Sequence, residues 1–194
     1  MTAPTYTPAK AERLILSGKG TGPMNVTGSL DLSGTQITAL PDNLTVTGSL
    51  YLRSTQITAL PDNLTVTGSL DLSGTQITAL PDNLTVTGSL YLRGCDLSGV
   101  TLPATITGSL DLSGAKNPNP SQWWTENGEV TRRRCLAICP DNGYALTQTD
   151  TDRFSAGCRK NLTRAQALKH WSRTDARAVL FAAAINAHSL EPVA

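Results

Sequence analysis

A repeat β-solenoid with a parallel sheet, one strand per twenty residues and an α+β cap at its C-terminal end is the fold that this sequence predicts. The first reason is a twenty-residue unit, LTVTGSLDLSGTQITALPDN at residues 64–83, which occurs almost unchanged one period earlier and begins again one period later. The second is the alternation of apolar and polar residues within each unit, and the third is the loss of the period after Gly114. Self-similarity at a fixed period is the signature of repeat architectures.

Apolar residues recur at fixed positions of the unit. One unit cannot bury its apolar side alone, but units stacked about 4.8 Å apart share a continuous core. Two of the columns comprise Leu30, Leu50, Leu70, Leu90 and Leu110, and Leu32, Leu52, Leu72, Leu92 and Leu112. We therefore predict a right-handed parallel stack in which Leu50, Leu70 and Leu90 are fully buried.

The segment TVTGSLYLR, residues 45–53, shows the alternation most clearly. Val46, Gly48, Leu50 and Leu52 fall on one side, and the intervening polar residues and Tyr51 fall on the other. A period of two indicates a half-buried strand, which over this segment would be roughly 30 Å long. Residues 54–64 must then return the chain to the next unit through a turn that Pro-Asp-Asn favours.

The pattern LxLxxTxIxxLP resembles the leucine-rich repeat, especially the short twenty-residue class of bacterial effectors, over about residues 14–114. The sequence departs from that family at the position where the family has an asparagine ladder. Thr35, Thr55, Thr75, Cys95 and Ala115 occupy this position. The resemblance implies a curved parallel stack, and a flatter β-solenoid remains the alternative.

Large outward residues distinguish the near-identical units. Aspartate alternates with tyrosine at one outward position and serine with arginine two residues later, which defines a forty-residue super-repeat. Tyr and Arg dominate interface hot spots and repeat arrays bind through such faces, so we predict that this face binds a partner protein. The alternative is that the pattern only distributes charge. The predicted binding residues are Asp31, Tyr51, Arg53, Asp71, Tyr91, Arg93 and Asp111.

Two outward columns of threonine suggest a different use of the stack. They comprise Thr45, Thr65, Thr85 and Thr105, and Thr47, Thr67, Thr87 and Thr107. Regular threonine ladders on a flat solenoid resemble ice-binding proteins, which makes ice binding a third alternative.

The chain divides into a flexible leader at 1–13, the solenoid at 14–114 and an α+β cap at 115–194. Leu14 and Leu16 suggest a shortened first turn of the repeat. Trp123 and Trp124 are expected to cover the last rung, because an uncapped solenoid exposes apolar side chains and strand edges. Antiparallel strands should follow, then a helix from a capping box at Thr163 to about residue 171, and a second helix over about 174–188.

The end of the cap carries a motif of its own. The segment DRFSAGCRKNLTRAQALKHW resembles a small C-terminal module of uncharacterised phage and prophage proteins, in which GCR ends a strand before a helix that ends in HW. Gly157, Cys158, Arg159, His170 and Trp171 match that motif. The resemblance implies a phage or prophage origin and no known activity.

Nothing in the sequence points strongly to chemistry. Cys135, Cys139, Cys158 and His170 have metal-ligand side chains, but their spacing departs from the usual zinc knuckle, so we predict no metal and leave zinc binding open. We find no phosphate loop, dinucleotide motif or catalytic pair, and we predict no cofactor and no enzymatic activity. The net charge of +1 does not favour nucleic acid or a membrane as a partner.

The sequence therefore predicts a non-catalytic protein-binding module, a phage-encoded inhibitor or adaptor that acts on a host or phage protein in the bacterial cytosol. No apolar run is long enough to span a bilayer, and the first residues lack the layout of a signal peptide. A structural or self-assembling protein, and hence a homo-oligomer, is the main alternative. A secondary candidate surface comprises Arg132, Arg133, Arg134 and Arg159.

Overall fold

The repeats stack as parallel rungs in the computed structural model, which describes residues 2–103, 105–119, 125–126, 133–139, 144–149, 153–156, 159–171 and 175–187. The chain begins with strand β1 (Thr5–Tyr6) and helix α1 (Pro8–Leu16). Each rung then contributes two short strands. These pairs are β2 (Met24–Val26) and β3 (Leu30–Asp31), β4 (Leu44–Val46) and β5 (Leu50–Tyr51), β6 (Thr65–Val66) and β7 (Leu70–Asp71), β8 (Thr85–Val86) and β9 (Leu90–Tyr91), and β10 (Thr105–Ile106) and β11 (Leu110–Asp111).

The first strands and the second strands of the rungs form two separate parallel sheets. The first sheet has the order β1-β2-β4-β6-β8 and the second β3-β5-β7-β9-β11, while β10 pairs with β12 (Thr125–Glu126). Paired residues lie one period apart, as in Leu30↔Leu50 and Leu50↔Leu70. The predicted parallel β-solenoid with twenty residues between paired strands is confirmed, and Leu50, Leu70 and Leu90 are buried as expected.

The single nine-residue strand expected over residues 45–53 is instead two strands separated by a bend at Thr47, Gly48 and Ser49. The reason lies in the glycine. A Cβ built on Gly48 would lie 2.6 Å from the backbone carbon of Gly28, so only glycine allows successive corners to stack this closely. The bend keeps Val46 and Leu50 in one core although the chain changes direction between them.

Threonine stabilises the corner that follows the second strand. The hydroxyls of Thr35, Thr55 and Thr75 donate to the carbonyl oxygens three residues earlier, at 2.6, 2.8 and 2.7 Å. Thr55 and Thr75 are buried, and their hydroxyls are therefore satisfied within the core. Threonine thus bonds the backbone at the position where the leucine-rich repeat places asparagine.

Helix α1 covers the N-terminal end of the stack, where we predicted a flexible leader and a shortened turn of the repeat. Pro8 stands at the start of the helix, a position that proline favours, and the apolar side of α1 buries Ala11 and Ile15 in the solenoid core. Thr5 and Tyr6 pair with Asn25 and Val26 in the first sheet. Residues Leu14 and Leu16 therefore belong to a helix, because its buried face is stabilised by packing on the first rung.

The C-terminal cap combines an antiparallel sheet with two helices. The sheet has the order β13 (Arg133–Ile138), β14 (Ala145–Thr149), β15 (Arg153–Ala156) and β16 (Arg159–Thr163). Helix α2 (Arg164–His170) starts at the predicted capping box, in which Thr163 Oγ1 accepts from the Gln166 amide at 3.2 Å. Helix α3 (Ala176–Ala187) follows, and Trp171 meets Phe181 edge-on with ring centroids 5.5 Å apart.

The cap sheet packs against two cores, and a β-bulge in β13 changes which of its residues face each one. Cys135 pairs with Thr147 and Ala137 with Leu146, so that Leu136 is the extra residue. Cys135 belongs to the solenoid core, whereas Leu136 and Ala137 belong to a second core beneath α2 and α3. The expected covering residues Trp123 and Trp124 lie outside the described residues. Within the ranges given above, no helix combines the length and apolarity needed to cross a lipid bilayer.

Candidate functional site

The outward residues of the second sheet form one column in register. Asp31 pairs with Tyr51, Tyr51 with Asp71, Asp71 with Tyr91 and Tyr91 with Asp111. We call this column, together with Arg53 and Arg93, the outer strand face. The leucines on either side of each column residue are buried, with only Leu110 partly exposed, so the column points away from the core. The structure thus brings together all seven residues that the sequence predicted.

The three aspartates of this face also have a structural role. Oδ1 of Asp31, Asp71 and Asp111 accepts the backbone N–H two residues later, at 3.0, 2.9 and 2.9 Å. These bonds form Asx turns that lead into a glycine corner. Sequence reasoning missed this role, although the Asp-x-Ser-Gly spacing signals it. The aspartates are therefore fixed parts of the fold with one carboxylate oxygen left for other contacts.

The fourth rung pairs its arginine within the chain. Arg93 Nη2 lies 2.6 Å from Asp111 Oδ2, Nε lies 2.7 Å from the same oxygen, and the guanidinium lies over the Tyr91 ring at 5.4 Å. The hydrogen bond to Asp111 raises the pKa of Arg93. Burial alone would raise the pKa of Asp111, but hydrogen bonds from Arg93 and Ser113 outweigh it and the pKa is lowered. This rung shows how the face holds a carboxylate beside an aromatic ring.

The second rung has the same YLR sequence but a different environment. Tyr51 is 38% exposed, and Arg53 is exposed as well. In the described part of the chain, the Arg53 guanidinium has no hydrogen bond or ion pair, in contrast to Arg93. The two copies are therefore inequivalent, and the second rung presents an aromatic ring and a cation to solvent.

The outward threonines lie on the first sheet, where Thr45 pairs with Thr65 and Thr65 with Thr85. Several neighbouring hydroxyls are engaged within the stack. Thr47 Oγ1 accepts the Gly28 amide at 2.9 Å, and Thr87 Oγ1 donates to the carbonyl of Thr67. The threonine columns therefore contribute to the bonds between rungs.

The secondary basic surface is only partly exposed. Arg134 is 6% exposed, and its Nε and Nη2 donate to Gln148 Oε1 at 3.0 and 2.8 Å. Arg133 is partly buried in the same strand. Arg132 lies outside the described residues, as does the side chain of Arg159. Arg134 is thus an internal residue of the cap sheet and is not available to a partner, because β13 is covered on both faces.

Cys135 and Cys139, two of the four candidate zinc ligands, belong to different cores. The bulge at Leu136 places Cys135 in the solenoid core and Cys139 in the cap core. Burial raises the pKa of Cys135 to about 12, which disfavours the thiolate that zinc needs. Among the described residues no three potential ligands come together, and Cys158 lies outside them. His170 instead stacks edge-on with Trp171, with centroids 5.3 Å apart.

Comparisons with protein-family models, with curated proteins and with solved structures find no match to this chain.

Proposed function

We propose that this protein is a non-catalytic binding module that holds a partner protein on its outer strand face. The observation that carries the proposal is the second rung, where Tyr51 on β5 and Arg53 in the following turn are exposed, whereas the identical residues of the fourth rung are engaged within the chain. Exposed tyrosine and arginine side chains on a rigid, hydrogen-bonded scaffold are typical of interface hot spots.

The rigidity of the second sheet supports this use. Main-chain hydrogen bonds of 2.8–2.9 Å, from Leu50 and Leu52 to the next rung, hold Tyr51 in place on both sides. A rigid tyrosine buries much area at low entropic cost, and the planar guanidinium of Arg53 fits a carboxylate. The contact of Arg93 with Asp111 and Tyr91 is the internal example of that geometry. We infer that the partner places an acidic side chain next to apolar surface.

The proposed setting is a bacterial cell infected by a phage. The resemblance of the segment around Arg159, His170 and Trp171 to phage and prophage modules supports a phage-encoded inhibitor or adaptor. Its partner would then be a host protein in the bacterial cytosol.

Affinity capture from bacterial lysate, followed by mass spectrometry, tests the proposal. The double variant Tyr51→Ser/Arg53→Ser should lose a protein that the wild type retains. The matched control, Tyr144→Ser/Arg13→Ser, removes an exposed tyrosine and an exposed arginine elsewhere and should retain it. Equal retention by both variants would show that the outer strand face is not the binding surface.

A structural or self-assembling role is the second candidate, and the edge of the second sheet favours it. Strand β3 is a terminal strand of that sheet, and although α1 packs against it, no described strand pairs with its outer edge, which could therefore pair with another chain. Size-exclusion chromatography over a range of concentrations separates the two candidates. A discrete oligomer with no retained protein supports assembly, and a strict monomer that retains one protein supports partner binding.

A further inference from the structure

A groove opens at the N-terminal end of the stack, away from the outer strand face. It lies between the end of helix α1 with residues 17–21 and the return segment of the first rung, residues 36–42, and encloses about 460 Å³. Ile15, Leu16, Ile37, Leu40 and Pro41 provide its apolar lining. This volume is in the range of sites that hold small ligands or side chains of a peptide.

Ile37 in this groove is more exposed than its equivalents in later rungs, whereas Leu40 is 8% exposed, as Leu60 is. Ile57 and Ile77 are 0% and 2% exposed, because the return segment of the preceding rung covers them. Ile37 has no preceding return segment and is only partly buried, and Leu16 at the edge of the groove is 47% exposed. At Ile37 the first rung therefore exposes apolar surface that the second and third rungs bury.

Backbone hydrogen-bond donors in the groove support the same conclusion. In later rungs the Gln56 amide donates to the Ile37 carbonyl at 3.1 Å, and the Thr78 amide donates to the Thr58 carbonyl at 2.8 Å. The equivalent amides of the first rung belong to Gln36 and Thr38, which line the groove. Neither of these amides meets an acceptor within the described residues, and the same is true of the Thr58 and Gln76 amides in later rungs. The groove thus offers an apolar surface and two unbonded backbone donors to an added segment.

We propose that this groove binds an extended segment of a partner protein with the sequence type Ile-x-x-Leu-Pro, which adds to the stack as a further return segment. The repeat itself specifies this chemistry, since residues 37–41 have this spacing and cover the equivalent surface of the second rung. The groove continues an interface that recurs between every pair of rungs, and strand addition of this kind is a common mode of peptide recognition. The later copies at 57–61 and 77–81 are held inside the stack, so the segment comes from a separate protein.

A synthetic peptide of residues 35–43, TQITALPDN, with blocked ends is the probe. It is titrated into the full-length protein labelled with ¹⁵N, up to about 1 mM. At saturation, hydrogen exchange at the Gln36 and Thr38 amides should slow at least about tenfold, as for amides that become hydrogen-bonded. The Gln56 and Thr78 amides are internal controls, because they are already bonded and should not change.

Two variants locate the site. Leu16→Glu should weaken peptide binding by at least about tenfold, because it places a charge beside the buried isoleucine of the peptide. Val179→Glu makes the same kind of change at an exposed apolar residue on α3 and should leave binding unchanged. Thermal unfolding of both variants confirms that they are folded. A peptide with aspartate in place of isoleucine should not bind.

Three results would overturn the proposal. The first is an unchanged exchange rate at Gln36 and Thr38 at the highest peptide concentration. The second is equal affinity of wild type and Leu16→Glu, which would place the peptide elsewhere. The third is a dimer in which both amides are already protected without peptide, which would assign the groove to a second copy of this chain. Loss of the outer strand face by Tyr51→Ser/Arg53→Ser should leave peptide binding intact, so this test is independent of the function proposed above.

Discussion

Replacement of Gly68 by alanine should destabilise the solenoid through a steric clash between rungs. The alanine Cβ would lie 2.6 Å from Ser49 Oγ and 2.7 Å from the Gly48 carbon and the Ser49 nitrogen. Two of these atoms are backbone atoms, so the rungs must move apart. Gly68 is not among the residues with positive φ, and the cost therefore arises from the close approach and not from the backbone conformation.

The magnitude follows from the bonds at this corner. The Gly68 amide donates to the Gly48 carbonyl at 2.9 Å, the Gly88 amide to the Gly68 carbonyl at 2.9 Å, and the Ser69 amide to Ser49 Oγ at 3.1 Å. Weakening these bonds costs about 1 kcal/mol each, and overpacking adds about 1–3 kcal/mol. We expect Gly68→Ala to lower the free energy of unfolding by about 4–6 kcal/mol, a large part of the stability of a typical domain.

Gly94→Ala is the matched control. Gly94 has φ +71° and a Cβ there would meet no atom within 4 Å, so the variant carries only the conformational cost of about 1–2 kcal/mol. Urea unfolding followed by circular dichroism measures both variants. The interpretation is refuted if Gly68→Ala is no less stable than Gly94→Ala, because the clash between rungs would then have no effect.

Three further predictions concern single positions. Ser54 has φ +56°, and glycines with φ of +67° to +71° occupy this position in the other rungs. Because glycine adopts positive φ without strain, Ser54→Gly should stabilise the protein by about 1 kcal/mol and raise the midpoint of urea unfolding. A lower midpoint would contradict this. Leu70→Ala should cost about 2–5 kcal/mol by the same assay, and a cost below about 1 kcal/mol would argue against a close-packed core. The pKa of Asp111 is lowered in the folded state, so the unfolded state binds a proton more readily. The ionised Asp111 therefore adds to the free energy of unfolding above an unfolded pKa of about 3.9, and this contribution is lost as the pH falls through the folded pKa. Between pH 7 and about pH 3, the free energy of unfolding should therefore fall less for Asp111→Asn than for the wild type. Equal decreases would rule out a stabilising role of the ionised Asp111.

The sequence predicted the parallel stack because stacking identical units leaves one register in which all apolar columns meet. The sequence did not predict the corner at Gly48, because a glycine is compatible with either face of an alternating strand. It also has no side chain that would indicate a bend. Helix α1 was missed for a related reason, since Leu14 and Leu16 match the LxL of the repeat. Their helical state depends on burying Ala11 and Ile15 against the first rung, which is a tertiary effect.

The outer strand face was predictable as a set, and its internal differences were not. Register alone places Tyr51 and Tyr91 in one column, whatever the surroundings. Arg93 pairs with Asp111, whereas the Arg53 guanidinium has no partner among the described residues. This difference depends on side-chain conformations, and two identical YLR segments contain no local signal for it. The separation of Cys135 from Cys139 likewise depends on the bulge opposite Leu146, which only strand pairing reveals.

The in-register stacking also bears on how such a chain changes in length. Adjacent copies are nearly identical, so the gain or loss of whole units would preserve the register between rungs. A forty-residue gain would insert two rungs, extend the stack by about 10 Å and leave the contacts of α1 and of the cap sheet unaltered. The alternation of aspartate and tyrosine would continue in phase across the insertion. The length of the outer strand face can therefore change in steps of two rungs, and no new kind of packing contact is needed.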